Sequence, residues 1–104
     1  MRLLAIDTAS DACSVGVVDG ARVFARSENA GRAHAERLMD MIEASMREAG
    51  LTFAELDRIA VTVGPGSFTG VRVGIAAARG LALVTGTPVV GVTTLAVHAA
   101  EARR

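Results

Sequence analysis

Lysine is missing from this 104-residue chain, and all eleven basic residues are arginines. The chain therefore has no P-loop lysine to reach a phosphate and no amine for Schiff-base chemistry. Eleven acidic residues balance the arginines, so there is no formal net charge. A protein that grips nucleic acid by itself needs a basic excess to neutralise phosphates, and that excess is absent. Aromatic residues are scarce as well, with three Phe and neither Tyr nor Trp. The stacking platforms of single-strand binders are excluded with them. A single cysteine, Cys13, permits no internal disulfide and no Cys-rich zinc cage. The opening apolar run stops at Asp7, too short for a secretory signal, and no segment approaches a membrane span. What is plentiful is apolar residue, 51% of the chain. At this length one domain buries roughly two-thirds of its unfolded surface. The expectation is one soluble, cytoplasmic domain, with no second domain inside the chain.

The pattern along the chain predicts an α/β order. Leu3 to Asp7 reads as a buried strand entering a polar turn, Asp7 to Asp11. Ala12 to Asp19 alternates as a second strand, with Cys13, Val15 and Val17 on one face. Asp19-Gly20 is a hairpin turn, followed by a third strand through Arg22, Phe24 and Arg26. After the break at Asn29 to Arg32, a helix is predicted from about Ala33 to Ala49. Leu38, Met41, Ile42 and Ala49 form its buried stripe, and Gly50 stands at its C-terminal cap. Thr52 and Glu55 have capping-box spacing for a short turn ending near Leu56. Arg58 to Val63 is a continuous apolar strand of the kind covered on both faces in parallel sheets. The loop Gly64 to Gly70 leads into a second long helix to about Val84. A short strand, Val89 to Val92, precedes a last helix capped by Thr93 or Thr94. This β-β-β-α-β-α-β-α order makes a mixed five-stranded sheet, the topology of one ribonuclease-H-like lobe.

The loop Gly64-Pro65-Gly66-Ser67-Phe68-Thr69-Gly70 lies between a strand and a helix N-terminus, where free backbone N–H groups can hold an anion. It matches neither the dinucleotide fingerprint nor a Walker loop. Ser67 is not in a nucleophile elbow, because Pro65 stands where glycine is required. The plain alternative is a tight strand-to-helix turn. Asp7 reads equally as the carboxylate that positions a metal-bound water and as the cap of its own turn. Cys13, within a strand, reads as core. His34 is followed one helical turn later by Leu38, and His98 has no second ligand nearby, so no metal site is expected.

From Val71 to Val84 the second helix carries only two charges, Arg72 and Arg79, on one face. A helix apolar nearly all round is covered on more than one side, so it reads either as a subunit contact or as an alanine-rich surface helix. Gly70, Gly74 and Ala78 recur every four residues, marking an edge along which another helix could approach closely.

Three segments carry a resemblance: Leu3-Leu4-Ala5-Ile6-Asp7-Thr8-Ala9, Arg32-Ala33-His34-Ala35-Glu36-Arg37-Leu38, and Gly64-Pro65-Gly66-Ser67-Phe68-Thr69-Gly70-Val71-Arg72-Val73-Gly74. Together they closely resemble the bacterial TsaB (YeaZ) family, over essentially the whole chain. That family is often labelled glycoprotease-like, or M22-like, and belongs to the actin-like ATPase superfamily of sugar kinases and Hsp70. The resemblance implies a non-catalytic role in making N6-threonylcarbamoyladenosine in tRNA, as a scaffold that docks the TsaD transferase and the TsaE ATPase. It also implies a homodimer in their absence, and tRNA contact only through the complex. The TsaD His-x-x-x-His metal pair is missing here, since Leu38 follows His34 at the required spacing. Family chains have two lobes, so this one is expected to be the N-terminal lobe alone.

The apolar helix and the resemblance agree on a contact surface of Phe68, Val71, Arg72, Ile75, Ala78 and Arg79, with Met39 and Met46 from the first helix. Asp7, Gly64 and Gly66 are the residues that would meet a cofactor. None is expected on the isolated lobe, and ATP or ADP with magnesium is expected only at an assembled interface. The competing functions are half of an actin-like ATPase or kinase, and a glycoprotease-like peptidase. The peptidase reading lacks a metal pair, a Cys–His dyad and an activated serine.

Overall fold

The computed structural model describes residues 1–10, 12–29, 35–66 and 68–93. Five strands and two α-helices follow the expected order: β1 Arg2–Asp7, β2 Ala12–Asp19, β3 Arg22–Asn29, α1 Ala35–Ala49, β4 Arg58–Thr62, α2 Phe68–Thr85 and β5 Val89–Val92. A 3-10 turn, Phe53–Glu55, links α1 to β4. The predicted last helix lies outside the described residues.

The strands form one sheet in the order β3-β2-β1-β4-β5. The β1–β2 and β2–β3 pairs are antiparallel, while β1–β4 and β4–β5 are parallel. Alternation decides which side chains go inward. Leu4 and Ile6 of β1 stand opposite Val17 and Val15 of β2 on one side, and opposite Ile59 and Val61 of β4 on the other. All six are buried, forming two apolar rows across the sheet. Both helices lie on this face, α1 over β2 and β3 and α2 over β4 and β1. Leu38, Met41, Ile42, Met46 and Ala49 complete the core from α1. Each fully buried Leu or Ile contributes about 1.5–3 kcal/mol.

The end of α1 follows from Gly50. Its φ of 71° is a left-handed conformation that β-carbon sterics penalise in other residues. There its N–H donates to the Arg47 carbonyl at 3.1 Å and that of Leu51 donates to Met46, also at 3.1 Å, the bond pair of a Schellman cap. In the next turn the Glu55 carboxylate accepts from the Thr52 backbone N–H at 2.9 Å and from its hydroxyl at 3.1 Å. These bonds hold the Glu55 carboxyl below its ordinary pKa.

Strand β3 runs on through Ser27, Glu28 and Asn29, further than the polar sequence suggests. Tertiary partners explain the extension. Ser27 shares a 3.0 Å hydrogen bond with Ser14 of β2. Arg26 pairs with Glu48 of α1 at 2.6 Å, and Glu28 receives a two-pronged bond from Arg37. The Arg37 hydrogen bond in turn lowers the Glu28 pKa.

Candidate functional site

Two loops meet at one end of the sheet, where the parallel neighbours β1 and β4 both finish. Asp7, the last residue of β1, uses one oxygen, Oδ1, to accept the Ala9 N–H at 3.1 Å and the Thr62 hydroxyl at 3.0 Å. It thereby closes its own turn and ties that turn to the end of β4. Thr8, fully buried, donates its hydroxyl to the Gly70 carbonyl at 2.5 Å, which fastens the same turn to the start of α2. Gly66 lies against Ala9: a β-carbon at Gly66 would come within 2.9 Å of the Ala9 carbonyl carbon and would collide with its oxygen. Gly64 precedes a cis peptide to Pro65.

The structure thus brings Asp7, Gly64 and Gly66 to one end of the fold. Where the loops touch, Gly66 faces the Ala9 carbonyl, and one of the two Asp7 oxygens is shared by two donors. Among the described residues Asp7 and Thr8 fasten this end of the fold, and Gly66 packs against Ala9.

The remaining candidates separate clearly. Cys13 is buried, and burial, then the negative charges of Glu28 and Asp7, push its thiol pKa up. A thiol held protonated in this way is a poor nucleophile. Among the described residues no group of three or more His, Cys, Asp or Glu side chains could hold a metal ion. His34, Ser67 and His98 lie outside the described residues. Leu38 is fully buried in the core. A cavity of about 500 Å³ opens between β3 and α1, beside Arg26, Glu28, Arg37 and Asp40. Two ion pairs already engage three of those four charges.

The second helix has one face turned to the sheet and one turned outward, and two expectations need correction there. Gly74 and Ala78 are buried against this chain's own sheet. A β-carbon at Gly74 would strike the Thr8 hydroxyl and come within 3.3 Å of Val61 Cγ2. The four-residue recurrence of small residues therefore lets α2 settle on β1 and β4; it is not an edge for a partner helix. Ala78, 0% exposed, and Met46, 2% exposed, are core residues and are unavailable to a partner. Met46 lies one helical turn after Ile42, on the buried stripe of α1.

Of the other expected contact residues, Arg72 and Arg79 are exposed, whereas Met39, Val71 and Ile75 are half-buried. Phe68 begins α2. The outward face runs Arg72, Ala76, Arg79 and Leu83, spaced three or four residues apart, with Gly80 beside them. At its end Leu83 is 88% exposed and Val84 is 87% exposed. Sequence reasoning missed both. The signal was the continuation of the Arg72–Arg79 row by one more turn, which lands on leucine.

The family model described as tRNA N6-adenosine threonylcarbamoyltransferase (TsaD) matches residues 26–104. The chain is 43% identical over 104 residues to the tRNA threonylcarbamoyladenosine biosynthesis protein TsaB of Escherichia coli strain K12, covering 100% of this chain and 45% of that protein. It is 50% identical over 76 residues to the tRNA N6-adenosine threonylcarbamoyltransferase of Erythrobacter litoralis, covering 73% of this chain and 22% of that one. Among solved structures, YeaZ from Pseudomonas aeruginosa superposes with a TM-score of 0.92 at 42% identity, over 97% of this chain and 47% of that chain. The chain spans somewhat less than half the length of its TsaB and YeaZ relatives.

Proposed function

Since the chain belongs to the tRNA N6-adenosine threonylcarbamoyltransferase (TsaD) family, within which it is similar to TsaB and YeaZ, we propose that it works as a non-catalytic docking lobe in tRNA threonylcarbamoyladenosine synthesis. It supports a TsaD-like transferase and a TsaE-like ATPase, and pairs with a second copy when they are absent. It reaches tRNA only through the assembly and acts in the cytoplasm. No described helix is long and apolar enough to cross a membrane.

The observation that carries this reading is the outward face of α2, where large aliphatic side chains stand almost fully exposed while the loops at the sheet end are fastened to each other. Exposed aliphatic surface of this kind marks a contact site. The absence of catalysis in this lobe is supported by Leu38, a core residue where the transferase pattern needs a metal-binding histidine. It is supported also by the high pKa of the buried Cys13 thiol. On this reading the lobe holds no nucleotide alone, and ATP or ADP with magnesium is bound only at an assembled interface.

Reconstitution tests the proposal. The chain, a TsaD-type transferase and a TsaE-type ATPase are mixed with unmodified tRNA, threonylcarbamoyl-adenylate and MgATP, and the modified base is measured by mass spectrometry. Modification should require the transferase and rise when the chain is added. Modification by the chain alone, or no response to its addition, would refute the docking role.

A further inference from the structure

Charge guards one edge of the sheet and not the other. Along the β3 edge stand Arg22, Arg26 and Glu28, the last two tied to α1 through Glu48 and Arg37. Edge strands carry such charges against pairing with another chain. The β5 edge, Val89-Val90-Gly91-Val92, has no charge, and Val90 is 44% exposed. Its backbone faces two ways. Pro88 and Val92 turn their carbonyls to β4, accepting the Ile59 and Val63 N–H groups, each at 2.9 Å. Alternation along the strand therefore aims the N–H and C=O groups of Val89 and Gly91 at the open edge. Among the described residues no strand lies beyond β5 to pair with them. Val90 stands opposite Ala60, out of step with the inward Ile59 and Val61, so its side chain lies on the face away from both helices. The second helix lies over β4 and β1 and leaves this flank clear.

Resting on the self-pairing in the reading above, we propose that two copies join edge to edge through β5, antiparallel, about a two-fold axis at Val90. In that register Val89 of each copy exchanges both its bonds with Gly91 of the other. Val90 then meets its own equivalent in the closer, non-hydrogen-bonded position, with Cα atoms about 4.5 Å apart, and a β-branched pair there is stabilising. The neighbouring registers are blocked. An axis at Val89 would need the Thr87 N–H, which already donates to the Thr85 hydroxyl at 3.3 Å. An axis at Gly91 would need Thr93, which is already engaged within the chain. Because β5 has no charge, a copy of itself approaches without repulsion. The contact closes at two copies, since the edges left over are the charged β3 strands. A strand of 4 residues buries well short of the roughly 1,200 Å² of stable complexes, so the association is weak and grows with concentration. It leaves the outward face of α2 open to other partners.

Sedimentation velocity over rising concentration, amide exchange and cross-linking of the chain test this. The parent should pass from monomer to dimer. As it does, the Val89 and Gly91 amides should exchange several-fold more slowly, while the Val90 amide, already turned to β4, should not change. Val90→Lys and Val90→Glu should each weaken pairing at least tenfold with unchanged circular dichroism, because like charges then stand opposite each other. Mixing the two variants should restore the dimer in low salt. Oxidised glutathione should cross-link Val90→Cys far faster than Val89→Cys, whose Cα atoms in this register lie beyond the roughly 7 Å reach of a disulfide. The native Cys13 is buried and does not compete. Leu83→Asp and Gly80→Leu alter only the outward face of α2, where a β-carbon at Gly80 would meet nothing within 4 Å, and should pair as the parent does. A dimer that Leu83→Asp dissociates and Val90→Lys leaves intact overturns the β5 contact while self-pairing stands. A chain that stays monomeric at every concentration overturns both, and the transferase contact is then judged by the reconstitution alone. Growth beyond two copies would overturn the closed pairing.

Discussion

Replacing Gly74 by alanine should destabilise the chain, although the same replacement six positions later should stabilise it. At Gly74 the new methyl collides with the Thr8 hydroxyl and lies 3.3 Å from Val61 Cγ2 and 3.7 Å from Ile6 Cγ2. Thr8 has no room to withdraw, since it is fully buried and bonded to the Gly70 carbonyl at 2.5 Å. Inserting a methyl into a filled core costs about 1–3 kcal/mol. Forcing the hydroxyl away from its acceptor adds about 1 kcal/mol. Alanine returns about 1 kcal/mol of helix propensity, leaving a net loss of about 1–3 kcal/mol. With about 4–8 °C per kcal/mol for a domain of this size, Tm should fall by roughly 10 °C. At Gly80 only the propensity gain remains, so Tm should rise by about 5 °C. Denaturant melts followed by circular dichroism measure both. The collision can be isolated with Thr8→Ala: in the double variant with Gly74→Ala, the combined loss should be smaller than the sum of the single losses. Equal or greater stability of Gly74→Ala, or strict additivity with Thr8→Ala, would refute the packing argument.

Other expectations follow from single groups. The Ser45 hydroxyl is buried with no hydrogen-bond partner among the described residues, so Ser45→Ala should leave stability unchanged or raise it by up to about 1 kcal/mol; a clear loss in urea melts would mean that the hydroxyl has a partner. Asp7→Ala should cost about 1–3 kcal/mol, because it strands the Ala9 N–H and the buried Thr62 hydroxyl. Asp7→Asn keeps an acceptor and should recover most of that; if the two variants melt alike, the fastening role is wrong. Glu55 and Glu28 are held below the ordinary glutamate pKa by Thr52 and Arg37 respectively. The stability each contributes is therefore present above the unfolded-state glutamate value and is lost as pH falls through the lowered native value. Glu55→Gln should flatten the acid side of the stability–pH curve, and an unaltered acid limb would contradict the Thr52 contact. Both glutamates are solvent-facing, so these effects should be small and should shrink in high salt.

Much of the architecture was legible because it rests on local rules. The Asp19-Gly20 turn, the alternation of Cys13, Val15 and Val17, the apolar run of β4 and the cap at Gly50 each follow from a few adjacent residues, and the structure has all of them. The site was less legible. That Asp7, Gly64 and Gly66 share one end of the sheet follows from strand order, since β1 and β4 are parallel neighbours. That the two loops are fastened to each other depends on the Gly66–Ala9 approach, a contact across more than fifty residues of sequence.

Local patterns and long-range packing divide the helices in the same way. Composition, turn residues and apolar periods fixed the class of fold, the order of its elements and the inward stripe of α1. They also marked α2 as a helix too apolar for one buried face. Periodicity names the rows on a helix without saying which row meets the sheet. The row Gly74–Ala78 and the row Arg72–Ala76–Arg79–Leu83 both recur at helical spacing. Only the fit of Gly74 over Thr8 and Val61 sends the first row inward, and with it the second row outward. Close packing selects the face on which a β-carbon is missing, and that choice left Gly80, Leu83 and Val84 on the outside.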